Sequence, residues 1–256
     1  MNAGTMKKFM TLVKWEYNGV FLPLCVIIGV MGLVQVLLFY RVLQGAARNV
    51  PLSYLIQQAN VSVLFVVAFA VLMVLIGVRL LFNFMPSKSM YALLTLPGSR
   101  EDVYLAKLMA MWLALLVLVA AQGLVLMGLG FLAGQEGLRG GFGMAGRRGA
   151  DFYLALLEVP FLRMVFPATG FGRALAVVTL GGTVSVVLYV VTAVKSGYVK
   201  GPVIAAALWL GLFLILFPFA NNPMRMNVFI FVVMVIFTFC VNKFGMKLFD
   251  TGEVAG

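Results

Sequence analysis

The chain has 256 residues, of which 63% are hydrophobic and 11% charged, with a net charge of +11 and no histidine. A soluble domain runs at about 45–50% apolar and about 25% charged, and a soluble fold of this size has too little interior to hide the surplus. With a mean hydropathy of +1.09, the composition excludes a water-soluble globule, and the absent histidines exclude His-based catalysis, His-ligated metals and histidine pH switching.

At the N-terminal end, Met6, Phe9, Met10, Val13 and Tyr17 recur at helical spacing, with Lys7, Lys8, Thr11 and Lys14 mostly opposite. This pattern predicts an amphipathic interfacial helix on an anionic inner leaflet. No cleavage-like site precedes the first apolar run, so that run is read as a retained span and not as a signal peptide. A membrane helix needs roughly 20 apolar residues to cross about 30 Å of hydrocarbon. Six stretches qualify, at 20–43, 61–84, 108–133, 174–194, 202–220 and 227–247, the last with Lys243 and Lys247 snorkelling to the surface. Residues 1–256 thus form a single all-α, polytopic membrane domain with no internal repeat. Cys25 and Cys240, far apart and each inside an apolar run, read as small core hydrophobes and not as a disulfide or metal pair.

Basic residues set the orientation. With both ends cytoplasmic, the inner side holds Lys7, Lys8, Lys14, Arg79, Lys88, Arg100, Lys107, Lys195, Lys200, Lys243 and Lys247, while the short outer loops hold only Arg41, Arg48 and Arg225. Short loops carry the sidedness signal, so both termini are expected inside a cell inner (plasma) membrane. The positive charge reads through this sidedness and not as a nucleic-acid footprint. On the outer side, 134–149 is glycine-rich and reads as a flexible loop. The following 152–165 is too short to cross, is interrupted by Glu158, Pro160 and Arg163, and reads as an outer interfacial or re-entrant segment.

Motifs in the chain are few. Gly141-Phe-Gly-Met-Ala-Gly146 matches G-x-G-x-x-G but lacks the preceding strand, the following helix and the ribose-binding acid that dinucleotide binding needs. A phosphate-cradling G-x-x-x-x-G-K-[ST] is absent, so ATP-driven work requires a second polypeptide. The six stretches contain no Asp or Glu, which argues against an ion-coupled carrier, and they offer no residues for intramembrane hydrolysis. Gln35, Gln122, Thr183, Ser185 and Asn242 are the strongest polar positions left, expected chiefly in interhelical hydrogen bonds. Gly123, Gly128, Gly130 and Gly134 permit close packing of the third span.

The inner loop between the second and third stretches is the most informative. Pro97 breaks the preceding run, Ser99 is placed to cap a helix, and Glu101 and Asp102 fall in its first turn, where the helix dipole favours negative charge. The segment predicts a short helix ending at Lys107 on the membrane surface. Here Leu94-Thr-Leu-Pro-Gly-Ser-Arg100 followed by Lys107 resembles the Leu-Pro-x-Ser-Arg…Lys signature of type-2 ABC transporter permeases. The resemblance implies a cytoplasmic coupling helix that docks on a separate ATPase, with Leu96, Pro97, Arg100, Glu101, Asp102 and Tyr104 as docking residues and Lys107 as the lipid-surface anchor. It further implies a homodimer of permeases with two ATPase copies, which carry the ATP and Mg. No cofactor and no ATPase site belong to this chain. A path rich in Phe, Met, Val and Leu suits amphipathic or hydrophobic peptides, or small drugs, as exported cargo. An ion-coupled carrier and a non-transporting membrane scaffold are the rival classes.

Overall fold

Runs of Leu, Met, Ala and Val, strong helix formers or tolerant of helices in an apolar setting, give long helices in the computed structural model, which describes residues 3–46, 50–83, 100–139, 148–167, 169–195, 200–219 and 225–252. Among the described residues there are nine helices and no strand. They are α1 (Ala3–Gly45), α2 (Leu52–Gln58), α3 (Val61–Asn83), α4 (Arg100–Arg139), α5 (Arg148–Glu158), α6 (Pro160–Val165), α7 (Gly170–Lys195), α8 (Lys200–Phe219) and α9 (Arg225–Gly252). Five of them (α1, α3, α4, α7 and α9) are long and apolar enough to cross a membrane, and in α8 an apolar stretch is described over Lys200–Leu212. The protein is an all-helical, multi-pass membrane protein.

Three expectations change. The amphipathic segment 6–17 is not a separate helix, because α1 continues through it without a break to Gly45. A single Gly19 in a helix interior costs only about 1 kcal/mol, and Pro23 also lies within α1. The short helix expected to end at Lys107 is likewise the start of α4, since no glycine or proline occurs from Arg100 to Gln122 to stop it. At its other end α4 runs on to Arg139 and α5 begins at Arg148, so both ends of the expected loop 134–149 are helical, and the rest of it, with the G-x-G-x-x-G match, lies outside the described residues. Third, Cys25 and Cys240 are exposed and free; they lie on outward faces of α1 and α9 and not in the core.

The expected re-entrant segment is a pair of short helices, α5 and α6. Val159 is extended between them (φ −86°, ψ 111°) and Pro160 opens α6 at its first turn, where its fixed φ and missing N–H suit a helix start. An additional helix, α2, occupies part of what the sequence reads as a short outer loop. Pro51 (φ −65°) precedes it, and Asn60 at φ 53° turns the chain into α3, a left-handed conformation that Asn tolerates better than most residues.

The chain divides into two compact units. The first comprises Met1–Leu22, Leu72–Leu115 and Val177–Gly256, and the second Pro23–Val71 and Leu116–Ala176, so α1, α3, α4 and α7 contribute residues to both. The second unit is built on an apolar cluster of Phe39, Leu55, Ile56, Val61, Leu126, Leu129, Leu156 and Leu162, with the α2 and α5–α6 side chains filling in against α1 and α4. Gly123 lies against the Phe166 ring at 3.6 Å, counted from where its Cβ would be, but nothing lies within 4 Å of that point on Gly128, so only part of the small-residue stripe serves close packing. Among the described residues a buried polar pair stands in this unit: Gln35 Nε2 donates to Gln122 Oε1 (3.0 Å) and to the Val61 carbonyl (3.2 Å).

Candidate functional site

The first turns of α4 are where the sequence concentrates its functional residues. Glu101 and Asp102 occupy the opening turn, where the exposed N–H groups of the helix end favour acids. Glu101 is exposed and Asp102 half-buried. The next positions turn inward: Tyr104 is 0% exposed, Lys107 4% and Met111 3%, a spacing of three and four residues that marks one helix face. Arg100 opens the helix. Leu96, Pro97 and the expected cap Ser99 lie outside the described residues.

Burial overturns two expected roles. Tyr104 has no surface to offer a partner. Its ring sits where Gly245 of α9 has no side chain, so that a Cβ there would come within 2.5 Å of the hydroxyl and 3.1 Å of Cζ. It meets Phe249 edge-on at 6.0 Å, and its hydroxyl donates to Asn242 Oδ1 at 3.3 Å. Lys107 does not reach the lipid surface; its ammonium pairs with the buried Glu16 carboxylate of α1. A lone buried ammonium in an apolar bundle is costly, and a carboxylate one helix away relieves it better than bending back to the surface.

The polar chain continues across the unit. Asn242 Nδ2 donates to Ser185 Oγ (3.1 Å), and that hydroxyl donates to the Gly181 carbonyl (2.9 Å), joining α4, α9 and α7. A second branch ties α8 to α7: Trp209 Nε1 donates to Thr183 Oγ1 at 3.1 Å, and the Trp209 indole stacks on Phe237 at 5.7 Å. The adjacent glycines Gly181 and Gly182 leave room for Trp112 and Trp209, whose rings occupy the space of the missing side chains. Half of the apolar window of α7 is buried (50%), against 22% to 33% for the other four long helices, so α7 is the packed post of this unit. The polar positions Gln35, Gln122, Thr183, Ser185 and Asn242 all bond between helices, as the sequence predicts.

The residue that sequence reasoning misses is Glu16, which has no expected role within a surface helix. Two signals point to it: it is the one acid in the first hundred residues, and it falls in register with the buried Val13, Val20 and Leu24. Arg79 of α3 also meets α1: its guanidinium lies against the α1 backbone in the space above Gly19. Among the described residues no cluster of metal-ligating side chains exists. The arrangement links the α4 start to α1, α7 and α9. Comparison with protein-family models, with curated proteins and with solved structures finds no match to this chain.

Proposed function

We propose that this multi-pass chain is the transmembrane subunit of an ATP-driven exporter, a permease of the type-2 ABC kind that works as a homodimer with two copies of a separate ATPase. The carrying observation is the anchorage of the α4 start. Directly after the segment that resembles the family signature, Lys107 is tied to α1 through Glu16, and Tyr104 to α9 and, through Asn242, to α7. A push on the residues before α4 therefore moves several helices as one body, the rigid-body mode by which packed elements switch states. In this reading Leu96, Pro97, Arg100, Glu101 and Asp102 meet the ATPase, while Tyr104 and Lys107 hold the lever to the bundle. The reading takes α8 as a sixth span, both termini as cytoplasmic, and α5–α6 as the outer re-entrant piece. Amphipathic or hydrophobic peptides, or small drugs, are the cargo.

The test is copurification of the tagged full chain with the ATPase encoded beside it, followed by ATPase assay in reconstituted membranes. Arg100→Glu and Glu101→Lys are expected to abolish recruitment, and amphipathic peptides to stimulate ATP hydrolysis. Recruitment that survives both reversals overturns the docking assignment. One observation favours a second reading, an ion-coupled carrier: α1 carries an acid, Glu16, inside its apolar length, and membrane acids mark ion paths. Transport by the purified chain alone under an ion gradient would establish that reading and remove the first.

A further inference from the structure

Two cations approach the Glu16–Gly19 turn of α1, and among the described residues only one finds an acid. Lys107 takes the Glu16 carboxylate. Arg79, near the end of α3, lays its guanidinium over Gly19, where a side-chain carbon would overlap Cζ and both Nη atoms. Its Nε is buried with no acceptor, and among the described residues Arg79 makes no hydrogen bond or ion pair. Glu16 being the one acid in the first hundred residues, neither α1 nor α3 carries another that could serve it. Among the described residues the site therefore holds an excess positive charge with a fork of N–H donors, the donor set that matches a phosphate oxyanion.

Depth and surroundings point to the source of that oxyanion. Arg79 lies 18 residues after the start of α3 at Val61, about 27 Å along the axis, which in a hydrocarbon core of about 30 Å is the headgroup boundary and not the bilayer centre. On the same faces, Trp15 and Leu22 of α1 and Leu75 and Val78 of α3 are exposed, an apolar flank for acyl chains with a tryptophan at the boundary, where that residue is favoured. The exposed Lys7, Lys8 and Lys14 lie on the same end of α1 and enrich anionic lipid nearby. We infer that Arg79, held over Gly19, binds the headgroup phosphate of an anionic phospholipid at the α1–α3 edge. The site is independent of the exporter reading and does not need an ATPase.

The test uses the purified full chain in neutral detergent, with native mass spectrometry after addition of phosphatidylglycerol or phosphatidylcholine of equal chain length. Wild type is expected to retain phosphatidylglycerol with about tenfold preference at a salt concentration that screens diffuse attraction. Arg79→Gln should erase the preference. Gly19→Ala, whose added carbon displaces the guanidinium, should lower it several-fold, while Lys7→Gln/Lys8→Gln/Lys14→Gln together should leave it in place. Arg79→Lys keeps the charge without the fork and should bind several-fold more weakly, which keeps the inference testable if Arg79→Gln does not fold. Equal retention of both lipids by wild type, or an unchanged preference in Arg79→Gln, overturns the inference. Displacement of the lipid by millimolar inorganic phosphate, with phosphate binding in its absence, overturns the lipid assignment.

Discussion

The two units of this chain are packed by different means. All nine lysines fall within the residues of the first unit, and the second carries only arginines as bases. The first unit is held by a buried ion pair, a hydrogen-bonded chain through Tyr104, Asn242 and Ser185, and tryptophans seated on glycines. The second rests on an apolar cluster with a single glutamine pair. Lipid tails are as apolar as leucine, so apolar contact alone gives little drive for one helix arrangement over another in a membrane. Directional contacts fix a register; apolar contacts fill space. In the proposed reading the mechanical input enters the unit whose helices are tied by more of these polar bonds.

The largest effect should come from splitting the ion pair. Lys107→Met leaves the Glu16 carboxylate buried without its cation, and removing one partner of a buried pair costs about 3–5 kcal/mol. Replacing both, Glu16→Leu with Lys107→Met, is expected to recover most of that loss, because a buried pair is often no more stable than apolar residues of similar volume. Reversible unfolding in mixed micelles, applied to wild type and to both variants, measures the difference. If the single replacement costs no more than the double one, the pair does not set the register of the first unit.

A smaller effect is expected where the second unit is cut. Leu129 is fully buried in its cluster, and Leu129→Ala opens a cavity. In lipid the transfer part of the usual penalty is reduced, leaving chiefly lost packing, so the cost should fall near the low end of the range, about 2 kcal/mol. The same unfolding assay reads it. A loss as large as that of Lys107→Met would erase the contrast between the units.

The sequence is most legible where composition decides. Long uninterrupted apolar runs in the lipid must be helices, because no other open structure satisfies the backbone there, and the spans at 61–84, 108–133 and 174–194 sit within a few residues of α3, α4 and α7 or inside them. It is least legible where two readings of one periodicity compete. Met6–Tyr17 has a helical pattern that serves a surface helix or the first turns of a longer one equally well, and only the buried register of Val13, Glu16 and Val20 separates them. Lys107 misleads for a related reason. A lysine at the end of an apolar run ordinarily snorkels, and its partner Glu16 lies 91 residues away, beyond anything local spacing reveals. The glycines behave likewise: Gly130 and Gly134 carry the visible pattern, but the rings that need a missing side chain meet Gly181, Gly182 and Gly245.

The smallest effect sharpens the comparison most, because it separates the hydrogen bond from the packing of one residue. Tyr104→Phe keeps the ring in the Gly245 notch and its edge contact with Phe249, and removes only the hydroxyl that donates to Asn242. Asn242 keeps its bond to Ser185 but loses one donor to its carbonyl, so the net cost should be about 1 kcal/mol. Gly245→Ala, by contrast, keeps both polar groups but pushes the hydroxyl and its ring away from α9, for which overpacking costs about 1–3 kcal/mol. Because the two changes touch one contact, their combination should fall short of the sum, and the shortfall measures how far the bond depends on the ring's seat. Full additivity would mean that ring and hydroxyl act separately, and the α4 start would then be packed against α9 without being registered to it.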